Sequence, residues 1–250
     1  MKLFEKIHRK ILHLRYRPIR VFCIHQVSNT FNPLTTYKCD WISTEVFKSS
    51  IRNLKKEYIF IPLSEAHRKL RKDLFRFKRF AVLTADDGYR CVYDILPWLE
   101  ENNIPITLFV NARYLDSQSC SPHIMMLASK INDSISEEKV AHDLYLTEPM
   151  LKEICTSSVS LASHGYEHID ATKLKPEEFV NQIQKNVSIL SKYDGYIPFH
   201  AYTWGKHDFQ NDATLKGLGI VPVYMDGQKN YNDSKVIHRE LLPSADCLLN

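Results

Sequence analysis

Two adjacent carboxylates, Asp86 and Asp87, end the apolar run FAVLTA and are followed by Gly88. Their like charges repel, so a pair in that place calls for a compensating cation. Two histidines, His164 and His168, stand four residues apart in HGYEH. On a helical turn their imidazoles would share a face, about 5–6 Å apart at Cβ, close enough to hold one metal ion. One carboxylate with two imidazoles is a three-ligand set that leaves a fourth position for water, the pattern of a catalytic zinc. If Asp87 binds the ion, the ion's charge offsets the repulsion and Asp86 stays ionised as a base. Gly88 lets the chain turn sharply after the pair. The expected cofactor is one divalent metal ion, with Zn2+ the first choice and cobalt, nickel or iron also suited to the donors. Each signal alone is weak, since Asp-Gly is a common turn and a spaced His pair is more often a solvated helix face.

Such residues act together only if the fold collects them. IRVFCIH reads as a strand stopping at His25, RFAVLT as a strand buried on both faces, and IPITLFV as the next. VSLAS, YIPFHAY, IVPVY and KVIHREL continue the series, with YIFIPL a short extra strand. Helices are expected in STEVFKSSIRNLKKE, capped by Ser43 or Thr44, and in VYDILPWLEENN, TEPMLKEICTS, KPEEFVNQIQKNVSILSKY and NDATLKGLG. Residues 112–146 have weaker periodicity, with SPHIMMLASKI their most helical part, and read as an inserted excursion. Alternating strands and helices imply parallel strands with helical crossovers, hence an α/β barrel or a doubly wound sheet. In those folds catalytic groups gather at the carboxyl ends of strands. His25, Asp86-Asp87, SHGYEH and TWGKHD all fall at such ends.

The chain has 250 residues, 44% of them hydrophobic and 25% charged, with no internal repeat and no Gly/Ser linker, as for one globular domain. Its six cysteines are scattered without CxxC pairing and read as small buried residues in a reducing compartment. Charge is uneven. Residues 1–20 carry seven bases against Glu5, with Leu3, Phe4, Ile7, Ile11 and Leu14 near helical spacing. That segment reads as a basic amphipathic helix, packed on the domain or lying on an anionic membrane surface. No basic stripe with interleaved aromatics follows, so no nucleic-acid partner is expected. No run of about 18 apolar residues occurs and charges interrupt the amino terminus, so neither a spanning helix nor a signal peptide is expected. The expected location is the cytosol, with peripheral contact at the inner membrane face through residues 1–20.

Taken in order, these segments resemble the polysaccharide deacetylases, the NodB-homology group of carbohydrate esterase family four. The family's T-F-D-D-G is similar to Thr84-Ala85-Asp86-Asp87-Gly88, and its H-[ST]-x-x-H to His164-Gly165-Tyr166-Glu167-His168. FHAYTWG, from Phe199 to Gly205, looks like F-x-Y-P-x-G, and CIHQV, from Cys23 to Val27, looks like the Y-H-x-V of one branch. The resemblance runs from about Val21 to Arg239. It implies a single-domain α/β fold, a distorted (β/α) barrel over residues 21–250, that removes acetyl groups from N-acetylated glycans or amino sugars. Carried over by motif, Asp86 is the general base, Asp87, His164 and His168 are metal ligands, and His25 is the general acid. The backbone N–H near Trp204 would join the metal in holding an oxyanion. Ala85, Gly165 and Thr203 depart from the motifs without touching a ligand. The family's arginine beside the base is absent from HAYTW, and Arg239 is the expected substitute. Tyr89, Tyr166 and Tyr202, with Trp204, flank the motifs and are candidates for stacking on a sugar. Two rival readings are a barrel that binds glycan without catalysis, and a metal-dependent phosphohydrolase suggested by the His-Asp pairs in AHDLY and KHD.

Overall fold

Strand β5 (Phe80–Ala85) is buried at all six positions, as a parallel strand covered on both faces must be. The computed structural model describes residues 17–34, 40–72, 78–116, 118–155, 158–232 and 234–242. Ten strands appear among them: β1 (Ile19–Ile24), β2 (Gln26–Ser28), β3 (Trp41–Ser43), β4 (Ile59–Phe60), β5, β6 (Ile106–Val110), β7 (Val159–Ser163), β8 (Tyr196–Ala201), β9 (Val221–Met225) and β10 (Ile237–Leu241). Strands β5 to β10 pair in sequence order, all parallel. β1 lies between β10 and β5 and closes a seven-stranded barrel. β4 adds a short pairing on β5.

The barrel explains the alternation along its strands. Ile19 and Val21, Val82, Phe109, Ala162, Phe199 and Ala201, Val223 and Ile237 share one interior cluster. Their neighbours Phe22, Ile24, Leu83, Ala85, Leu108 and Leu161 pack instead beneath the helices. The period of two then carries Asp86, His164 and Arg239 onto the inner face at the carboxyl end.

Among the described residues eight α-helices surround it: α1 (Thr44–Lys55), α2 (Leu63–Lys72), α3 (Leu96–Glu101), α4 (Pro122–Ile131), α5 (Glu137–Leu144), α6 (Glu148–Ile154), α7 (Pro176–Leu190) and α8 (Phe209–Gly217). Ser43 caps α1 as expected, its hydroxyl accepting the Val46 N–H. The helix expected over VYDILPWLEENN divides into a 3-10 stretch, Arg90–Ile95, and α3. Pro97 sits in the first turn of α3, where its missing N–H is harmless; inside a continuous helix it would break a bond. Helix α2 is absent from the sequence expectations, because its apolar stripe is only Leu63, Ala66 and Leu70 among bases. Those three residues join the barrel's interior cluster.

The excursion at 112–146 contains α4 and α5, which close a satellite core of Tyr114, Ile124, Ala128, Val140, Leu144 and Tyr145 around Tyr89. The expected helix over residues 1–20 falls largely outside the described residues; Ile19 and Arg20 belong to β1. Within the described residues no helix is long and apolar enough to cross a membrane.

Candidate active site

At the end of β5 the backbone turns through two consecutive left-handed residues, Asp87 (φ 67°) and Gly88 (φ 68°). Aspartate tolerates that region better than most residues, and at Gly88 an added Cβ would meet Val110 Cγ1 at 3.1 Å. The turn sends the two carboxylates into different surroundings. Asp86 faces a buried arginine, and Asp87 faces two histidines.

Asp87 Oδ1 lies 3.2 Å from the Nε2 atoms of both His164 and His168. His164 Nδ1 lies 2.8 Å from the Ala201 carbonyl, which only accepts, so Nδ1 carries the proton. In a neutral ring Nε2 then presents a lone pair toward a carboxylate oxygen, an arrangement that calls for a cation between them. Asp87 Oδ1 is also buried and has no hydrogen-bond partner among the described residues. The three donor atoms lie within 4.8 Å of one another. A small divalent cation with N and O ligands fits this set. Burial alone would raise the Asp87 pKa, but the imidazoles of His168 and His164 beside it outweigh burial and hold it well below the ordinary carboxylate range.

The expectation that His164 and His168 share a helical turn does not hold. Residues 164–168 form an irregular loop, and Gly165 takes φ +82°. A β-carbon there would meet the Glu167 carbonyl at 3.2 Å, which accounts for glycine where the motif has Ser or Thr. Asn111, at the end of β6, holds the loop by donating to the His164 and Gly165 carbonyls at 2.7 and 3.0 Å. The other departures are also accommodated. Ala85 packs in the core beneath the helices, away from the cleft. The Thr203 hydroxyl donates to the Ile169 carbonyl.

Arg239 reaches Asp86 from β10, with Nη1 donating to Oδ1 at 2.6 Å and Nη2 to Oδ2 at 2.7 Å. Nη1 also lies 3.2 Å from Thr84 Oγ1, and Phe109 lies 4.9 Å under the guanidinium. Burial would raise the Asp86 pKa; the Arg239 charge, with that of His164, lowers it below the ordinary value. Asp86 is therefore an oriented anion. Cys23, His25 and Asp86 also approach within 4.8 Å. That trio is no metal site, because both Asp86 oxygens are held by Arg239 and burial keeps the Cys23 thiol protonated. It does place His25 beside Asp86. His25 Nδ1 is 3.8 Å from Asp40 Oδ1, at the start of β3.

His25, Asp40, Asp86, Asp87, His164 and His168 line a cleft of about 430 Å³, with Arg239 buried behind it. Tyr89, Tyr202 and Trp204 border it and Tyr166 does not. Tyr166 packs at the edge of the core, with Lys185 Nζ 4.2 Å from its ring centre, and so lies away from any sugar in the cleft. Tyr202 presents only its ring, because its hydroxyl donates to Asp212 at 2.9 Å. Trp204 adopts φ 58°, and its indole stands edge-on to His168 with centroids 4.6 Å apart. Sequence reasoning missed Asp40, Asn111, Ser121, His123 and Tyr145, all of which line the cleft. None lies in a motif. The pairs His142-Asp143 and His207-Asp208 stay outside the cleft, which removes the geometric ground for a phosphohydrolase.

Among solved structures, a Streptococcus pyogenes deacetylase, PplD, in complex with acetate aligns at a TM-score of 0.71 and 18% identity, covering 93% of this chain and 96% of that one. IcaB from Ammonifex degensii aligns at 0.70 and 18%, covering 93% and 95%. A de-N-acetylase from Aggregatibacter actinomycetemcomitans aligns at 0.68 and 16%, covering 90% and 95%. At these identities the likeness shows the fold. No curated protein matches the sequence. The sequence profile described as Polysaccharide deacetylase matches residues 76–222, more than half of the chain and both motifs around Asp86-Asp87 and His164-His168. This protein belongs to the polysaccharide deacetylase family.

Proposed function

We propose that this protein is a metal-dependent hydrolase that removes N-acetyl groups from an N-acetylated sugar or glycan. One observation carries the reading: Asp87, His164 and His168 converge on one point beside an ionised, oriented Asp86. A divalent ion on those three ligands, Zn2+ first among them, would polarise an acyl oxygen and make a water more acidic. Asp86 takes the proton of the water that attacks the acetyl carbon, and Arg239 keeps the carboxylate anionic and aimed. An amide nitrogen cannot leave as an anion, so the departing amine must gain a proton. His25, beside Asp86, is the donor, and such acid–base help is worth roughly 10²–10⁴ in rate. The backbone N–H of Trp204 is the proposed donor to the developing oxyanion, a contribution of about 10²–10³. Tyr89 and the rings of Tyr202 and Trp204 give the sugar an apolar wall. Water's oxygen ends on acetate, and the other product is a free amino sugar.

The test is acetate release from a panel of N-acetylhexosamine substrates, with protein stripped of metal and then reloaded with zinc, cobalt or nickel. Acetate should appear only with metal. Glycan binding without acetate from any loaded form would make the protein a binding barrel instead.

A further inference from the structure

His123 is the second residue of α4, on the excursion rather than in any motif. Ser121 caps the helix by accepting the Ile124 N–H, and Ile124 and Ala128 anchor its first turns in the satellite core. The His123 ring is thereby held against the cleft. It stands edge-on to Trp204, with centroids 5.3 Å apart and planes at 85°, and Trp204 in turn stands against His168. One indole separates His123 from a metal ligand.

His123 Nε2 is buried and has no hydrogen-bond partner among the described residues. Leaving such an atom unmet costs about 1–3 kcal/mol, so native proteins keep one where something else satisfies it. That something is not the metal, because the atoms clustered within 4.8 Å belong to Asp87, His164 and His168. A neutral imidazole nitrogen donates or accepts according to tautomer, which suits a hydroxyl, itself both donor and acceptor. An acidic group is a poorer match. Lys206, a cation bordering the cleft, is bonded to Asp170 at 3.0 Å, and Asp40 adds a negative charge.

Resting on the deacetylase reading above, we propose that His123 is a substrate-positioning residue whose Nε2 hydrogen-bonds a hydroxyl of the sugar seated against Trp204. It sets which glycan the excursion admits and takes no part in the bond-breaking step.

His123→Phe keeps the ring against Trp204 and deletes the nitrogen; His123→Gln returns an amide nitrogen near the same place. Both are compared with the wild type as metal-loaded proteins. The readouts are KM and kcat for an N-acetylglucosamine oligomer, turnover of an aryl acetate lacking hydroxyls, metal content, and calorimetric binding of the oligomer. His123→Phe should weaken oligomer binding and raise KM by about ten- to a hundredfold, with kcat changed less than about threefold. The ratio of oligomer to aryl acetate turnover should fall accordingly, and His123→Gln should recover part of it. Unchanged oligomer binding in His123→Phe overturns the proposal, as does an equal loss on both substrates accompanied by lost metal. A wild type that binds the oligomer but releases no acetate defeats the deacetylase reading alone, and His123→Phe binding still decides this one. A wild type that does neither overturns both.

Discussion

Arg239 and Asp86, 153 residues apart in the chain, meet through two parallel hydrogen bonds inside the barrel, at 2.6 and 2.7 Å. The fork matches the carboxylate's geometry, so it fixes orientation as well as charge. Arg239→Lys keeps a cation there and loses the fork. It should keep its metal and lose about 10²-fold in kcat on an N-acetylated substrate, read by steady-state kinetics. Arg239→Met leaves the Asp86 carboxylate buried and unpaired, which should lower unfolding free energy by about 3–5 kcal/mol in urea titration. A lysine variant with wild-type kcat would show that orientation of Asp86 is immaterial.

The two neighbouring aspartates should separate cleanly on mutation. Asp86→Asn preserves shape and removes the proton acceptor, so metal content stays near one ion per chain while turnover falls by about 10²–10⁴. Asp87→Ala and His168→Ala each delete a ligand and should lose both metal and turnover. Elemental analysis after dialysis checks the first quantity. Asp86→Asn with normal turnover would remove the base; tight metal retention in Asp87→Ala would remove the ligand set.

His25 can be tested through the leaving group. An amine must be protonated to depart, whereas a phenol of low pKa leaves unaided. His25→Ala should therefore lose about 10²-fold or more on an N-acetyl amide and far less on an aryl acetate. Equal losses on the two substrates would assign His25 to binding or to structure.

Legibility of the site followed the range of the forces that build it. Asp86, Asp87 and His164 are readable because each follows directly on a strand, and His168 because it stands four residues after His164; residue type with spacing is a local signal. Arg239 is readable only as a missing partner, since its approach to Asp86 depends on β1 closing the barrel between β10 and β5. His164 and His168 do meet at Asp87, but not in the local form that spacing suggests: Gly165 at φ +82° bends a loop where a helical turn is expected. Asp40 and His123 carry no signal in sequence. They enter the cleft through the β2–β3 pairing and through α4 packing on Tyr145, both tertiary events. Tyr166 shows the converse error, since adjacency to His164 and His168 does not aim a side chain at the cleft they line.

Acid sensitivity should trace in part to His200, a buried residue on β8 with no part in the proposed chemistry. Its Nδ1 lies 3.0 Å from the Ser163 hydroxyl, and burial, followed by the charges of His164 and Arg239, pushes its pKa down from 6.5 to about 3. In the unfolded chain the ring protonates near its ordinary value; in the fold it stays neutral. Between those two values the unfolded state binds one more proton, so stability falls as pH falls, by up to about 1.4 kcal/mol per pH unit. Well above pH 6.5 both states are neutral and the contribution to the slope vanishes. Replacing the ring by glutamine removes this proton from both states. His200→Gln should therefore show a shallower decline between pH 6.5 and 5, by about 2 kcal/mol over the interval, whatever its stability at pH 7. Denaturant unfolding of the metal-free protein, wild type against variant at several pH values, measures the difference directly. Parallel curves through that window would mean that His200 takes up its proton in the folded state as readily as in the unfolded chain.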